Sequence, residues 1–211
     1  MARMTKQQQA DKIVEALKTA FPDAMCTLDH ESPERLAIRG ILSAQCTDKR
    51  VNITSEELFK TYPAMADLKD ADPEELASII KPCGLTNSKT KAVLDFAGKY
   101  CDEWGGEVPR DPDKLMTCKG VGRKIANLII GEIYGIPAIV VDTHCKRVSY
   151  RTGLSGNTDP DKVLTDLNKV IRDEDKISFG HLAVELGRTY CKAPNPQCAD
   201  CPISEFCRRR I

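Results

Sequence analysis

The sequence holds no apolar run long enough to span a bilayer. A membrane-crossing helix takes about 20 residues, and the longest apolar stretches, Ile125 to Ile130 and Ile136 to Val141, are far shorter. The charged N-terminal stretch from Met1 to Gln9 has no apolar segment behind it, so a secretory leader is not expected. There is no internal repeat and no low-complexity tract, and a 41% hydrophobic content suffices for a packed core. Charge of one sign is also missing. Lys plus Arg number 31 and Asp plus Glu 31, giving net zero and none of the bulk positive charge typical of nucleic-acid binders. These absences set the expectation of a soluble chain without a membrane partner, located in the cytoplasm.

What is present is mainly helical periodicity. Between Gln7 and Phe21, residues Ile13, Val14, Leu17 and Phe21 form one stripe. Ser32-Pro33, Asp72-Pro73, Asp111-Pro112 and Asp159-Pro160 each pair a cap with a proline at the first helical position. Thr47, Asp142 and Asp175 are further candidate caps. A long helix starts at Asn87 or Ser88 and ends before Gly105-Gly106, and another runs from Arg123 to Tyr134. Ile136 to Val141 is the one strand-like run and has no evident partner. The expectation is an all-α chain of roughly ten helices. The middle, residues 26–136, would form one lobe, and residues 1–25 with 137–211 the other.

Position qualifies the neutral charge. Lys81 to Lys91 has three lysines and no acid; Lys119, Arg123 and Lys124 fall close together; Lys146, Arg147 and Arg151 follow. Such segregation can give a neutral protein a basic face, with ordinary solvated segments as the alternative.

The ten cysteines, without a secretory leader, argue against a disulfide framework. Six are scattered and are expected to be core thiols. The other four, Cys191, Cys198, Cys201 and Cys207, give Cys-x6-Cys-x2-Cys-x5-Cys with Pro194, Pro196 and Pro202 between them. Four thiolates converging on one loop suit a 4Fe–4S cluster or a zinc ion. Zinc modules usually use two close pairs, so the wider spacings favour the iron–sulfur cluster. Bound metal would stabilise a loop with few apolar residues of its own.

Leu115 to Lys124 joins a short helix to a longer one through Gly120-Val121-Gly122. The two glycines permit positive φ and close approach of backbone. The turn brings the free N–H groups of a helix N-terminus to an anion, with a DNA phosphate the natural choice and Lys119 and Arg123 beside it. Alone, Gly-x-Gly is equally a plain helix connection, and a lone lysine a solvated surface residue. A helix from Arg123 to Tyr134 rises roughly 18 Å, and the extended run to Val141 can cover roughly 23 Å. If that run doubles back, Asp142 arrives beside Lys124. Asp142 also has the sequence context of a helix cap, and one carboxylate can serve both purposes. An amine near an acid can attack an electrophilic carbon.

Cys118-Lys119-Gly120-Val121-Gly122-Arg123-Lys124, Val141-Asp142-Thr143-His144 and the four-cysteine loop together resemble the endonuclease III family, bifunctional DNA glycosylases and abasic-site lyases of the helix-hairpin-helix superfamily. The resemblance extends to Leu42 to Asp48 and Cys83 to Lys89, and so runs from about residue 30 to residue 207. It implies a six-helix barrel lobe carrying the helix-hairpin-helix motif at about residues 112–134, and an iron–sulfur lobe formed by the N- and C-terminal helices. It implies oxidised pyrimidines or abasic sites in duplex DNA as substrate, a 4Fe–4S cofactor on Cys191, Cys198, Cys201 and Cys207, and a monomer, nucleoid-associated in a bacterium.

Under the resemblance Lys124 is the nucleophile and Asp142 the catalytic carboxylate. Gln45 fills the space left by an extruded nucleotide and Leu85 is the wedge beside it. Gly120, Val121 and Gly122 offer backbone to phosphate, with Lys119, Arg123, His144 and Arg147 as further DNA contacts. Four positions depart from the common pattern: Cys118 and Lys119 replace Leu-Pro, Thr86 stands where tyrosine is frequent, and Ile125 where threonine is frequent. A monofunctional adenine glycosylase usually has serine at the lysine position and an added C-terminal domain, so Lys124 and the end at Ile211 weigh against it. A non-catalytic DNA-binding module needs neither Lys124 nor Asp142. A zinc-stabilised interaction domain is the third alternative.

Overall fold

The computed structural model describes residues 4–211, so the charged N-terminal stretch begins outside it, at Met1 to Arg3. The described residues form eleven α-helices, with short 3-10 and π turns and no strand. The chain divides into two compact units, Cys26–Ile136 and Met1–Met25 with Pro137–Ile211.

The unit from Cys26 to Ile136 contains α2 (Pro33–Leu42), α3 (Asp48–Thr61), α4 (Met65–Lys69), α5 (Pro73–Ile80), α6 (Thr86–Gly98), α7 (Pro112–Leu115) and α8 (Arg123–Glu132). Helix α8 is its pillar: every residue from Ile125 to Gly131 is buried, and α2 and α7 pack on it. Gly40 makes the α2 contact possible, because a Cβ there would lie 2.8 Å from Ile125 Cγ2. The cap-plus-proline starts hold. Ser32 accepts from Arg35 N, Asp72 from Glu74 N and Glu75 N, and Asp111 from Asp113 N. Thr47 stands at the head of α3 but its side chain caps nothing; the adjacent Asp48 instead accepts from the Thr27 hydroxyl. Helix α4 carried no start signal in the sequence, since its cap position is Ala64; the Asp67 carboxylate closes it by accepting the Ala64 N–H at 3.0 Å. Helix α6 begins at Thr86 and continues through a π turn to Trp104, whose ring meets Phe96 edge-on at 5.7 Å.

The other unit contains α1 (Lys6–Ala20), α9 (Thr143–Thr152), α10 (Pro160–Asn168) and α11 (Lys176–Thr189). Thr5 and Gln8 form a reciprocal capping box at α1. The stripe Ile13, Val14 and Leu17 is buried with Val148, Leu167, Phe179, Leu182 and Leu186. Burial of each such large side chain contributes roughly 1.5–3 kcal/mol. Ile203 joins this core from the cysteine loop and ties the loop to the helices. Asp159 caps α10 through Lys162 N. Asp175, expected to cap α11, has helical backbone and makes no cap bond; its carboxylate takes the Lys18 ammonium instead. Ile136 to Val141 forms neither helix nor strand, and Ala138 and Ile139 are buried as packing residues.

Of the six scattered cysteines, Cys83, Cys118 and Cys145 are buried, whereas Cys26, Cys46 and Cys101 are half-buried. The last three stand at helix-free or helix-end segments. Burial pushes the thiols of Cys118 and Cys145 up to about 12, which makes them poor nucleophiles.

Candidate active site

In the hairpin between α7 and α8, Gly120 has φ 75°. A Cβ there would sit 2.8 Å from Ala92 Cβ, so glycine is needed for both conformation and space. Gly122 differs from expectation. Its φ is −96° and no atom lies within 4 Å of an added Cβ. It is the N-cap of α8 and faces open space. Val121 is buried between the two and donates its N–H to Cys118 O at 3.2 Å. The N–H groups of Gly120, Gly122, Arg123 and Lys124 have no acceptor within the unit. Together with the positive end of the α8 dipole they form an anion-receiving cradle.

The departure at Lys119 has a local partner. Where a proline could donate nothing, Lys119 gives its N–H to Asp95 Oδ2 at 2.9 Å and its ammonium to Asp95 Oδ1 at 3.4 Å. Arg123 pairs with Asp113 at 2.9 Å. Both cations therefore have an acidic neighbour, in partly exposed pairs worth about 1 kcal/mol or less that a phosphate can displace. Lys124, the second residue of α8, is exposed and has no ion pair or hydrogen bond within its unit.

Gln45 and Leu85 share an unusual feature. Both have left-handed backbone, φ 53° and 48°, and both are exposed, Leu85 at 50%. Only four non-glycine described residues have positive φ. Such strain costs about 1–3 kcal/mol and gathers at functional positions. Each of the two residues follows a helical segment: Gln45 the turn after α2, Leu85 the 3-10 turn Lys81–Cys83.

In the other unit, Asp142 caps α9, with Oδ1 accepting from Cys145 N at 2.7 Å. The capping role is thus present, and Oδ2 keeps lone pairs for other work. His144 Nδ1 lies 3.1 Å from Arg147, whose guanidinium also donates to Gly187 O at 2.9 Å and Cys191 O at 2.8 Å. Arg147 is therefore a brace between α9, α11 and the cysteine loop, a use that the charge pattern did not disclose. Arg151 does the same, donating to Lys192 O at 2.6 Å, Ala193 O at 2.8 Å and Cys191 Sγ at 3.6 Å. With Arg147 and Arg151 turned to carbonyls, and Lys89 buried, the basic face inferred from residue counts is thinner than the sequence implied. Arg151 was missed as part of the cysteine site. Its signal was position: it lies in α9, whose three cations, Lys146, Arg147 and Arg151, have no acid within the helix to pair with.

Cys191, Cys198, Cys201 and Cys207 line one pocket, with about 400 Å³ of unfilled space, open solvent included. All four are half-buried. Burial and the neighbouring thiols push Cys201 and Cys207 up. Cys207 Sγ accepts from the Arg209 N–H at 3.4 Å.

An amine next to free N–H donors at a hairpin suits a phosphodiester substrate, and a helix-hairpin-helix DNA-binding protein is the class this defines. The profile of "HhH-GPD superfamily base excision DNA repair protein" matches residues 38–173. The endonuclease III of Synechocystis is 39% identical over 204 residues, covering 96% of this chain and 93% of that protein. That of Bacillus subtilis is 38% identical over 206 residues, covering 97% and 94%. A solved structure described as a trapped endonuclease III–DNA covalent intermediate matches with a TM-score of 0.91 at 39% identity, covering 98% of this chain and 97% of that one. The chain belongs to the HhH-GPD superfamily of base excision DNA repair proteins and, within it, to the endonuclease III family.

Proposed function

We propose that this chain removes oxidised pyrimidines from duplex DNA and then cleaves the strand, with Lys124 as nucleophile. The observation that carries the reading is the amine of Lys124, exposed and without a partner in its unit, one residue from the acceptor-free N–H groups of the hairpin. Those groups hold a backbone phosphate, which sets the register of the strand. The target nucleotide is extruded, at a cost of a few kcal/mol. Leu85 and Gln45, exposed at strained loop tips, enter the duplex and offset part of the lost stacking.

The neutral amine of Lys124 attacks C1′ of the everted sugar. The bond from C1′ to the base breaks, and the base leaves with the electron pair and is protonated. Asp142, through the oxygen that capping leaves open, takes the proton lost by the lysine nitrogen. As the ring opens, Asp142 returns that proton to the departing O4′, and the nitrogen lone pair closes to a protonated imine. Loss of a C2′ proton then expels the 3′ phosphate by β-elimination, and water releases Lys124. Only an amine nucleophile allows that second step.

The four cysteines fit a 4Fe–4S cluster. They line one pocket, and their wide sequence separations, Cys-x6-Cys-x2-Cys-x5-Cys, favour a multi-atom cluster over zinc. Cys191, Cys198, Cys201 and Cys207 would hold it, and when bound it supplies folding energy to the loop. Arg151 donates toward the Cys191 sulfur, and Arg147 holds the backbone of the same residue. The protein acts as a monomer on DNA, in the cytoplasm and, in a bacterial host, at the nucleoid; no described helix is long and apolar enough to cross a membrane.

Borohydride reduction tests the reading. The protein should be trapped covalently on duplex DNA with an abasic or oxidised pyrimidine site, and Lys124→Ala should bind the same DNA without being trapped. Equal trapping of the variant would name a different nucleophile.

A further inference from the structure

Lys89 is the most deeply buried lysine of the chain, at 3% exposure, and it touches no acid. Its ammonium instead donates to three backbone carbonyls: Leu42 O at 2.8 Å, Ala44 O at 2.7 Å and Cys83 O at 2.8 Å. Three donors meet three acceptors, so only the protonated form satisfies all of them. Burial pulls this lysine down from its ordinary pKa, a cost that the contacts must offset.

The three carbonyls belong to two separate loops. Leu42 ends α2 and Ala44 immediately precedes Gln45; Cys83 ends the 3-10 turn two residues before Leu85. The backbone N–H of Lys89 adds a fourth bond, to Leu85 O at 3.0 Å. A single side chain thus ties together the two loop tips whose residues have exposed, left-handed backbone. Each loop also closes on itself, the turn after α2 through Cys46 N to Ser43 O and the second through Gly84 N to Lys81 O; the thiols of Cys46 and Cys83 also meet between them, but a thiol is a weak hydrogen-bonding group beside an ammonium. A lone carbonyl-binding lysine could be simple core filling. Its choice of acceptors, on both loops and within one to three residues of Gln45 or Leu85, argues otherwise.

We infer that Lys89 is a positioning residue that sets Gln45 and Leu85 as one rigid wedge for entering duplex DNA, so that extrusion of the target nucleotide depends on it although it touches no DNA. The inference rests on the reading of Gln45 and Leu85 as the intercalating residues. Pre-set geometry matters here because a displacement of about 1 Å in a positioning group can cost on the order of a hundredfold in rate.

The test compares Lys89→Met, Leu85→Ala, Gln45→Ala and the double variant Lys89→Met with Leu85→Ala, all in the full chain. Single-turnover excision is measured on a duplex with one thymine glycol, paired or mispaired, and 2-aminopurine beside the lesion reports unstacking. Lys89→Met should slow excision from the paired duplex by about tenfold or more and lower the 2-aminopurine signal. Borohydride trapping on a preformed abasic site should be retained. Mispairing, which lowers the cost of extrusion, should recover most of the rate. The double variant should be little worse than the slower single variant, because the two changes remove one function.

If Leu85→Ala and Gln45→Ala slow excision and Lys89→Met does not, the wedge reading stands and the inference falls. If none of the three slows it, both fall. A loss in Lys89→Met that mispairing does not restore would place its effect outside extrusion and overturn the inference. Should Lys89→Met not fold, Lys89→Gln, which keeps two donors, is used in the same comparison; failure of both to fold would make Lys89 a core pillar and also overturn it.

Discussion

The hairpin offers a sharp comparison, because its two glycines are present for different reasons. Gly120→Ala places a Cβ 2.8 Å from Ala92 Cβ and 3.8 Å from Ile41 Cγ2, at φ 75°. Ala92 Cβ is fixed to the backbone of α6 and cannot swing away. Overpacking of this kind costs about 1–3 kcal/mol, and left-handed backbone in a residue with a Cβ costs about 1–2 kcal/mol more. The reduced freedom of the unfolded chain returns about 0.4–1 kcal/mol. The net loss is therefore about 2–4 kcal/mol, or roughly 5–15 °C in Tm for a chain of this size. Gly122→Ala meets nothing within 4 Å and has φ −96°. Its stability should change by less than about 1 kcal/mol, since a poorer N-cap and a stiffer unfolded chain oppose each other. Its methyl group, however, projects toward the approach to the unpaired N–H groups, so affinity for duplex DNA with a tetrahydrofuran abasic analogue should fall about tenfold or more. Denaturant unfolding and fluorescence anisotropy measure the two effects. An unchanged melting curve for Gly120→Ala, or full DNA affinity in Gly122→Ala, would refute the division of labour.

Asp142 can be separated into its two roles. Asn is as good an N-cap as Asp, so Asp142→Asn should keep the unfolding midpoint while excision falls; Asp142→Ala should also lose about 1 kcal/mol of stability, and equal activity of Asp142→Asn and the parent would remove the acid from the chemistry. The purified native protein should be yellow-brown, with iron and acid-labile sulfide, and Cys201→Ser should lose colour and resistance to proteolysis in the 191–207 loop; a colourless zinc protein would contradict the cluster. Glu31, held down at about 2 by hydrogen bonds from Arg39, should add a pH-dependent element of stability. Its folded value lies below the ordinary 4.5, so the contribution is full above about pH 4.5 and disappears as pH falls through about 2. The stability difference between the parent and Glu31→Gln, followed by urea unfolding, should shrink through that window, and a difference independent of pH would contradict the pairing.

The features legible in the sequence were those whose physics is local. Ser32-Pro33, Asp72-Pro73 and Asp111-Pro112 each unite a cap oxygen and a preset φ within two residues, and no tertiary contact overrides them. Asp175 looks equally local, yet Lys18, from a helix 157 residues away, claims its carboxylate. The same limit governs the site. Lys124 and the hairpin glycines show themselves by spacing, as does the four-cysteine loop. Lys89, Arg147 and Arg151 do not, because their acceptors are backbone carbonyls up to 47 residues distant. A carbonyl has no residue type, so sequence names the donor and is silent about its target. One trace was available: Lys89 lies on the stripe with Val93 and Phe96, both buried, where a solvated lysine would interrupt the apolar face. A charged residue on such a stripe must bring its own acceptors, and the acceptors it finds are loop ends, where helical carbonyls run out of partners. A buried lysine near helix C-termini is thus suited to joining loops, and at Lys89 the loops it joins are the two that present Gln45 and Leu85.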